Sequence, residues 1–206
     1  VVIAENLVYD SEMGIAAGDY CEYNAGSYTG NVTIQGNAVL DNEYGIDIFN
    51  DIRGAHVVGN IVTGSAEYGI GVYDYTSSGW SDCLPPTDTV IQYNNIADNN
   101  VGLWVEDVVG VVNAKYNFWG HISGPQDPNG TMETDGVTCY SVDVVKNADG
   151  TGDDVSEENA EYCPWLAVPI ISSTGLCPVG DLDGDCDVDF NDLARLAANW
   201  LVGTEP

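Results

Sequence analysis

Short apolar stretches recur along the first 120 residues, each led by an Asn. In the first three copies a polar turn and the pattern Gly-Ile-x-apolar follow, the fourth copy has Gly-Leu-x-apolar, and the fifth breaks off after its Asn. The lead residues are Asn6, Asn37, Asn60, Asn94 and Asn117, at spacings of 31, 23, 34 and 23. The basic period is therefore about 23, and two steps carry insertions. Apolar residues alternate within each copy, which favours short strands over helices. Such a repeat predicts an all-β chain, a parallel β-helix in which each coil pairs with the next about 4.8 Å away.

The Gly-Ile-x-apolar pattern also predicts which side chains face outward, because alternate residues of a strand point to opposite faces. One outward row contains Ala16, Asp47, Gly71 and Trp104, and the next contains Gly18, Phe49, Tyr73 and Glu106. Aromatic rings beside carboxylates are candidates for holding a sugar chain, which makes Phe49, Tyr73 and Trp104 candidate ligand-binding residues.

Asp47 and Glu106 are weak catalytic candidates on this face, because glycosidases use paired carboxylates about 5–10 Å apart. The alternative is a solvated face whose aromatic rings lie under the two insertions. No Gly-x-Ser-x-Gly elbow occurs, and the two His residues, His56 and His121, lie far apart in the coil order. Catalysis by this part of the chain is therefore not expected.

The two insertions, residues 19–30 and 74–87, both follow the Gly-Ile-x-apolar strand, and each carries one Cys. They leave the same corner of coils that are two steps apart, roughly 10 Å along the axis. Long loops can close that gap, so we predict a Cys21–Cys83 disulfide. Cys139 and Cys163 then pair by elimination. An even number of cysteines without a Cys-x-x-Cys pair favours disulfides and an oxidising compartment.

The C-terminal region carries an acidic loop with the ligand spacing of an EF-hand. Positions 1, 3, 5, 7, 9 and 12 of the loop are occupied by Asp181, Asp183, Asp185, Asp187, Asp189 and Asp192. Oxygen ligands at these positions predict Ca²⁺ as the cofactor. Cys186 replaces the usual Gly at position 6, and a Cys177–Cys186 disulfide would offset strain there. An amphipathic helix is expected to leave the loop through Leu193, Leu196 and Trp200.

Two family resemblances follow from these residues. The Asn-apolar and Gly-Ile-x-apolar sets resemble the right-handed parallel β-helix repeats of pectate-lyase-like and surface proteins over residues 1–125. The acidic loop with its exiting helix resembles one calcium repeat of a type I dockerin over residues 179–202, although a dockerin normally has two repeats. The second resemblance implies a cohesin-like or other protein partner.

The composition of the chain excludes some classes of binding partner. The formal net charge is −29, from 33 acidic and 4 basic residues, so the surface repels nucleic acid phosphates. No run of eighteen apolar residues occurs, so membrane insertion is not expected. Cations are the natural partners of such a surface, either as bound calcium or as a salty medium.

These observations predict three segments: β-helix coils over 1–125, truncated at the N-terminus, a capping segment over 126–175, and a dockerin-like module over 176–206. We expect a secreted or cell-surface, non-catalytic β-helix module with a calcium-stabilised attachment element. The alternative is the C-terminal part of a carbohydrate-active enzyme, a polysaccharide lyase or glycoside hydrolase, that binds polysaccharide on the aromatic and acidic face.

Overall fold

The computed structural model describes residues 1–18, 28–74, 83–129, 131–141, 145–155 and 159–170. The chain divides into two compact units, Val1–Ile170 and Ile171–Pro206, and the second unit lies outside the described residues. The predicted ligands Asp181, Asp183, Asp185, Asp187, Asp189 and Asp192 and the predicted Cys177–Cys186 disulfide therefore fall outside the described part. No helix in the described ranges is long and apolar enough to cross a membrane.

The strands follow one another coil by coil. The first coil contains β1 (Val2–Ala4), β2 (Leu7–Tyr9) and β3 (Met13–Gly18). The second contains β4 (Thr29–Gly30), β5 (Thr33–Gln35), β6 (Ala38–Leu40) and β7 (Tyr44–Phe49). The third contains β8 (Ile52–Arg53), β9 (His56–Val58), β10 (Ile61–Thr63) and β11 (Tyr68–Tyr73). The fourth contains β12 (Val90–Gln92), β13 (Asn95–Ala97) and β14 (Val101–Glu106). After it come β15 (Val112–Asn113), β16 (Pro125–Gln126), β17 (Met132–Glu133), β18 (Val145–Lys146), β19 (Gly152–Asp154) and β20 (Ala160–Glu161).

Equivalent strands of successive coils form three parallel sheets. Sheet A has the order β1-β5-β9-β12-β15-β20, sheet B has β2-β6-β10-β13, and sheet C has β3-β7-β11-β14. Their pairings are parallel and in register, so that Ile15 lies beside Ile46, Ile46 beside Ile70, and Ile70 beside Leu103. This arrangement confirms the predicted parallel β-helix for the described residues.

The core is a column of apolar side chains stacked along the axis. Each coil contributes one or two inward residues from each sheet, and many of them have no exposed surface, including Ile34, Val57, Val62, Ile70 and Ile96. Each fully buried aliphatic side chain contributes about 1.5–3 kcal/mol relative to an exposed one. Because each coil repeats the same pattern, the repeat determines both which strands pair and which side chains form the core.

The lead Asn residues form a ladder at the corner between sheets A and B, and all of them except Asn6 are fully buried. The side-chain oxygen of Asn37 accepts hydrogen bonds from the backbone and side-chain nitrogens of Asn6, at 3.0 and 2.9 Å. Asn60, Asn94 and Asn117 repeat this pattern on the coils that follow, at 2.9–3.0 Å. The ladder satisfies backbone groups that the turn removes from the sheets, which is why Asn recurs with the period of the coil.

The repeated Gly near the start of each sheet C strand lies where successive coils approach each other closely. A Cβ on Gly45 would collide with the backbone oxygen of Gly69, and one on Gly14 would collide with that of Gly45. The Gly residues are therefore required by the close approach of successive coils, and not by a bend that needs an unusual backbone conformation.

The described part of the chain beyond β15 continues the stacking and covers its last coil. β20 pairs with β15, and Val155 forms a bridge with Leu103 of sheet C.

Cys139 and Cys163 form a disulfide with a Cα–Cα distance of 5.5 Å, which confirms that predicted pair. Cys83 is also disulfide-bonded, and its predicted partner Cys21 lies outside the described residues.

Candidate functional site: an aromatic and acidic cleft on sheet C

The outward rows that the sequence predicts on sheet C are present in the structure. Asp47 lies beside Gly71, which lies beside Trp104, and Phe49 lies beside Tyr73, which lies beside Glu106. Asp47, Trp104, Tyr73 and Glu106 from these rows, together with residues at the start of the strands, line a cleft of about 600 Å³ on the outer face of the sheet.

The floor of the cleft is a cluster of aromatic rings. Tyr73 stacks on Phe49, with ring centroids 6.0 Å apart and planes inclined by 14°. Trp104 contacts Tyr68 and Tyr73, with centroids at 5.3 and 5.1 Å. Tyr44 adjoins Tyr68 at 5.0 Å and an inclination of 47°.

Gly71 and Gly18 make room for this cluster. A Cβ on Gly71 would lie 2.5–3.0 Å from the rings of Tyr68 and Tyr73, and one on Gly18 would lie 2.4–2.5 Å from the Phe49 ring. The aromatic rings therefore pack over Gly71 and Gly18, where a larger side chain would not fit.

Asp47 is buried beneath the rings, with no exposed surface. Its Oδ1 accepts hydrogen bonds from the hydroxyl groups of Tyr68, at 2.6 Å, and Tyr73, at 3.1 Å. Its Oδ2 is buried, and no described residue forms a hydrogen bond with it. Burial raises the pKa of the Asp47 carboxyl above its ordinary value of 3.8, and the two tyrosine hydrogen bonds offset part of that rise.

Carboxylates also surround the opening. Glu12, Glu67 and Glu106 line the cleft and are exposed, whereas Asp74 lines it and is buried. None of the described residues that line the cleft is basic. The described basic side chains lie elsewhere in ion pairs: Arg53 with Asp88 at 3.2 Å, Lys115 with Glu161 at 2.9 Å, and Lys146 with Glu133 at 3.4 Å. The cleft is therefore a strongly negative site with an aromatic floor.

The structure brings most of the sequence-derived site residues together here. Asp47, Glu106, Tyr73 and Trp104 all line the cleft, whereas Phe49 stacks against Tyr73 and is almost fully buried. The proposed catalytic role of Asp47 and Glu106 stays a prediction, since a carboxyl as enclosed as that of Asp47 offers no direct access in this conformation.

Sequence reasoning missed the residues that stand just before the repeated Gly of the sheet C strands. Tyr44 and Tyr68 stand directly before Gly45 and Gly69, and Glu12 and Glu67 stand two positions before Gly14 and Gly69. Their recurrence at fixed repeat positions was a signal that they share one edge of the outer face.

Comparison with known proteins identifies one family. A family model described as "NosD: Periplasmic copper-binding protein (NosD)" matches residues 1–115. Neither the curated proteins nor the solved structures that were searched contain a match to the chain.

This match corrects the cofactor expected from the sequence. The acidic loop led to Ca²⁺, but the matching family is described as copper-binding. In the ranges that the structure describes, no three His, Cys, Asp or Glu side chains lie close enough together to hold a metal ion. The expectation of calcium as the cofactor is therefore wrong: it relied on a local ligand spacing, whereas the family is recognised by the β-helix coils.

Proposed function

The chain belongs to the NosD family, and we propose on this premise that it is a non-catalytic β-helix protein that binds a ligand outside the cytoplasm, in the periplasm or at the cell surface. The family description supports the periplasmic location, and the disulfide between Cys139 and Cys163 fits an oxidising compartment. The parallel β-helix is a rigid scaffold on which such a binding face can be built.

The observation that carries this proposal is the cleft on sheet C. A groove of about 600 Å³ with a few polar groups around an aromatic floor has the size and composition of a small-molecule site. Asp47 is the strongest sign of a site, because a buried carboxyl with an unpartnered oxygen costs stability that ordinary packing would avoid.

Copper does not fit the described residues as the ligand of this cleft. Copper prefers thiolate, thioether and imidazole ligands. Cys139, Cys163 and Cys83 are in disulfides, and Met13 is the one described soft ligand in the lining. His56 lies on sheet A, and His121 forms a hydrogen bond with Ser123 at 2.8 Å. No step of the proposed function is therefore assigned to copper.

A polysaccharide is a second candidate ligand, favoured by Trp104. Its ring is half-buried and lies on the outer face beside Glu106, where a sugar ring could stack on it. The tilts of 31–47° between Trp104, Tyr44 and their tyrosine neighbours make the floor less suited to a long flat chain than to a compact ligand.

The test of the proposed function is binding without turnover. The 206-residue chain is titrated with two classes of probe, neutral oligosaccharides such as cellohexaose and small ammonium compounds such as choline, and is incubated with polysaccharides to look for new reducing ends. Saturable binding of one class that is lost in Trp104→Leu, without new reducing ends, is expected. Turnover of a polysaccharide would overturn the non-catalytic assignment, and binding unaffected by Trp104→Leu would place the ligand elsewhere.

A protein partner for residues 176–206 is a separate proposal, supported by the resemblance to a type I dockerin repeat. The apolar positions Leu193, Leu196 and Trp200 recur at helical spacing. Retention on an immobilised cohesin domain that is lost in Leu196→Asp is expected. If the unmodified chain and the Leu196→Asp variant are retained equally, or if neither is retained, the proposed protein partner is wrong.

A further inference from the structure

The cleft on sheet C carries a charge that nothing in its described lining balances. Among the described residues, the carboxyl groups of Glu12, Asp47, Glu67 and Glu106 line it. The described basic side chains are engaged in ion pairs outside it. Clustered carboxylates with low-dielectric walls concentrate negative potential and attract cations.

The aromatic floor adds a second, independent preference for positive charge. The faces of Trp and Tyr rings attract a cation within about 6 Å of the ring centroid. Trp104 and Tyr44 are both half-buried and line the cleft, and each is packed against Tyr68. An alkylated ammonium group gains from both the rings and the carboxylates, because it is apolar and positively charged at once.

Asp47 links the two features. The hydroxyl groups of Tyr68 and Tyr73 donate hydrogen bonds to its Oδ1, which places the anion behind these rings. A tyrosine that donates to a carboxylate has a more electron-rich ring, so the floor beside Trp104 becomes a better surface for a cation. The buried Oδ2 has no hydrogen-bond partner among the described residues, so a cation that lies over the floor would stabilise the ionised form of Asp47.

The lining distinguishes an organic cation from a metal ion and from a neutral sugar. In the described part of the chain, no three carboxylates approach one another closely enough to hold a metal ion. Sugar hydroxyls need donors as well as acceptors, whereas ionised carboxylates only accept. The hydroxyl groups of Tyr68 and Tyr73 already donate to Asp47.

We propose that the cleft of sheet C binds a small organic cation with an alkylated ammonium group, held over the rings of Trp104 and Tyr44 with Glu12, Glu67 and Glu106 at the rim. This inference rests on the proposed function, because it names the ligand class of the same site. The formal net charge of −29 also draws cations toward the chain from a distance.

The test compares choline with 3,3-dimethylbutan-1-ol, which has the same shape and no charge. Calorimetric titration of the 206-residue chain at low salt is expected to show binding of choline at least about tenfold tighter than that of the alcohol. Added NaCl weakens choline binding, since the rim carboxylates are exposed. Equal binding of choline and the alcohol would overturn the proposal.

Matched variants locate the site. Trp104→Leu and Glu106→Gln are each expected to weaken choline binding, Trp104→Leu by about tenfold. The control variants Tyr93→Leu and Glu5→Gln replace exposed residues away from the cleft and are expected to bind choline as the unmodified chain does. Glu106 is exposed, so its variant keeps the test valid if Trp104→Leu fails to fold.

The two levels of the proposal fail separately. If cellohexaose binds, choline does not, and Trp104→Leu abolishes the cellohexaose binding, the cation inference is wrong and the binding function stands. If no probe of either class shows binding that depends on Trp104 or Glu106, both are wrong.

Discussion

The hydroxyl group of Tyr68 donates a 2.6 Å hydrogen bond to Oδ1 of Asp47, a carboxyl that is fully buried on the outer face of a sheet. Inward positions of a β-helix are apolar, and outward positions are usually solvated. Asp47 is a polar residue at an outward position, but it is not solvated, because the rings of Tyr68 and Tyr73 exclude water from its side chain. Because burial of this carboxyl costs stability, the effect of Asp47 can be measured in unfolding experiments.

Asp47 is expected to make stability depend on pH in a defined direction. Because burial raises its pKa, the folded chain holds this proton more tightly than the unfolded chain. The contribution of Asp47 to stability is therefore fully present below its ordinary pKa of 3.8 and is lost as the pH rises through the raised value. Urea unfolding of the unmodified chain and of Asp47→Asn across this range should show the unmodified chain losing stability relative to the variant as the pH rises.

The comparison cancels the titration of the other carboxyls with raised pKa, Asp127, Asp153 and Asp154, since both chains contain them. Glu12, Glu67, Asp74 and Glu106 line the same cleft and are also common to both. A relative gain in stability with rising pH would contradict the prediction, and would mean that the tyrosine hydrogen bonds outweigh the cost of burial.

Removal of an inner rung of the Asn ladder is expected to be costly. Asn60 is fully buried, and its amide donates to the backbone oxygen of Ile34 at 2.9 Å and to Oδ1 of Asn94 at 2.9 Å. Its own oxygen accepts from the backbone nitrogen of Asn37 at 2.9 Å. Asn60→Ala leaves several of these groups buried without partners, at about 1–3 kcal/mol each, so we expect a loss of about 3–5 kcal/mol in urea unfolding.

Asn6→Ala is the matched control for this ladder. Asn6 is exposed and occupies the first rung, where its backbone nitrogen and side-chain amide donate to Asn37 at 3.0 and 2.9 Å. Water can replace these bonds, so we expect a loss of about 1 kcal/mol. Equal losses in the two variants would show that position in the ladder does not determine the cost.

The ladder also illustrates which parts of the fold the sequence predicts well. The recurrence of Asn37, Asn60 and Asn94 at one place in the repeat is visible in the sequence alone, because a β-helix repeats each environment from coil to coil. A second ladder is less visible. Asn99 donates to Asp153 Oδ2 at 2.8 Å, and the partner lies 54 residues away in the segment that follows the repeats. No period connects these two positions.

Gly45→Ala is expected to destabilise the coils. The added Cβ would meet the backbone oxygen of Gly69 and lie 2.9 Å from Cγ1 of Val62, and a backbone atom cannot move aside as a flexible side chain can. We expect a loss of about 1–3 kcal/mol or more in thermal or urea unfolding. Gly30→Ala is the control, because a Cβ there has no neighbour within 4 Å. A Gly45→Ala chain as stable as the Gly30→Ala chain would show that neighbouring coils can separate without cost.

The cleft was harder to predict than the coils. The sequence indicates that Asp47 and Trp104 face outward, because alternation alone determines this. It does not indicate that Asp47 is buried there, since burial of an outward residue depends on the size and direction of rings from neighbouring coils, such as Tyr68 and Tyr73. The cofactor expectation was wrong for a related reason: the spacing of acidic residues near Asp181 is a local pattern, and the family match rests on residues 1–115.

The disulfide between Cys139 and Cys163 is expected to stabilise the segment that follows the coils. It closes a loop with a sequence separation of 24, which limits the freedom of the unfolded chain and contributes about 3 kcal/mol on the loop-entropy model. Cys163 is buried and Cys139 is exposed, so the double variant Cys139→Ala, Cys163→Ala avoids a buried unpaired thiol. Unfolding should occur at a correspondingly lower urea concentration in the double variant.

Hydrogen exchange in the double variant should rise at Ala160 and Glu161 of β20, which lie close to Cys163 in the sequence, while Ile46 and Ile70 of the inner coils keep their protection. A uniform rise in exchange at all four positions would show instead that the disulfide stabilises the β-helix as one cooperative unit.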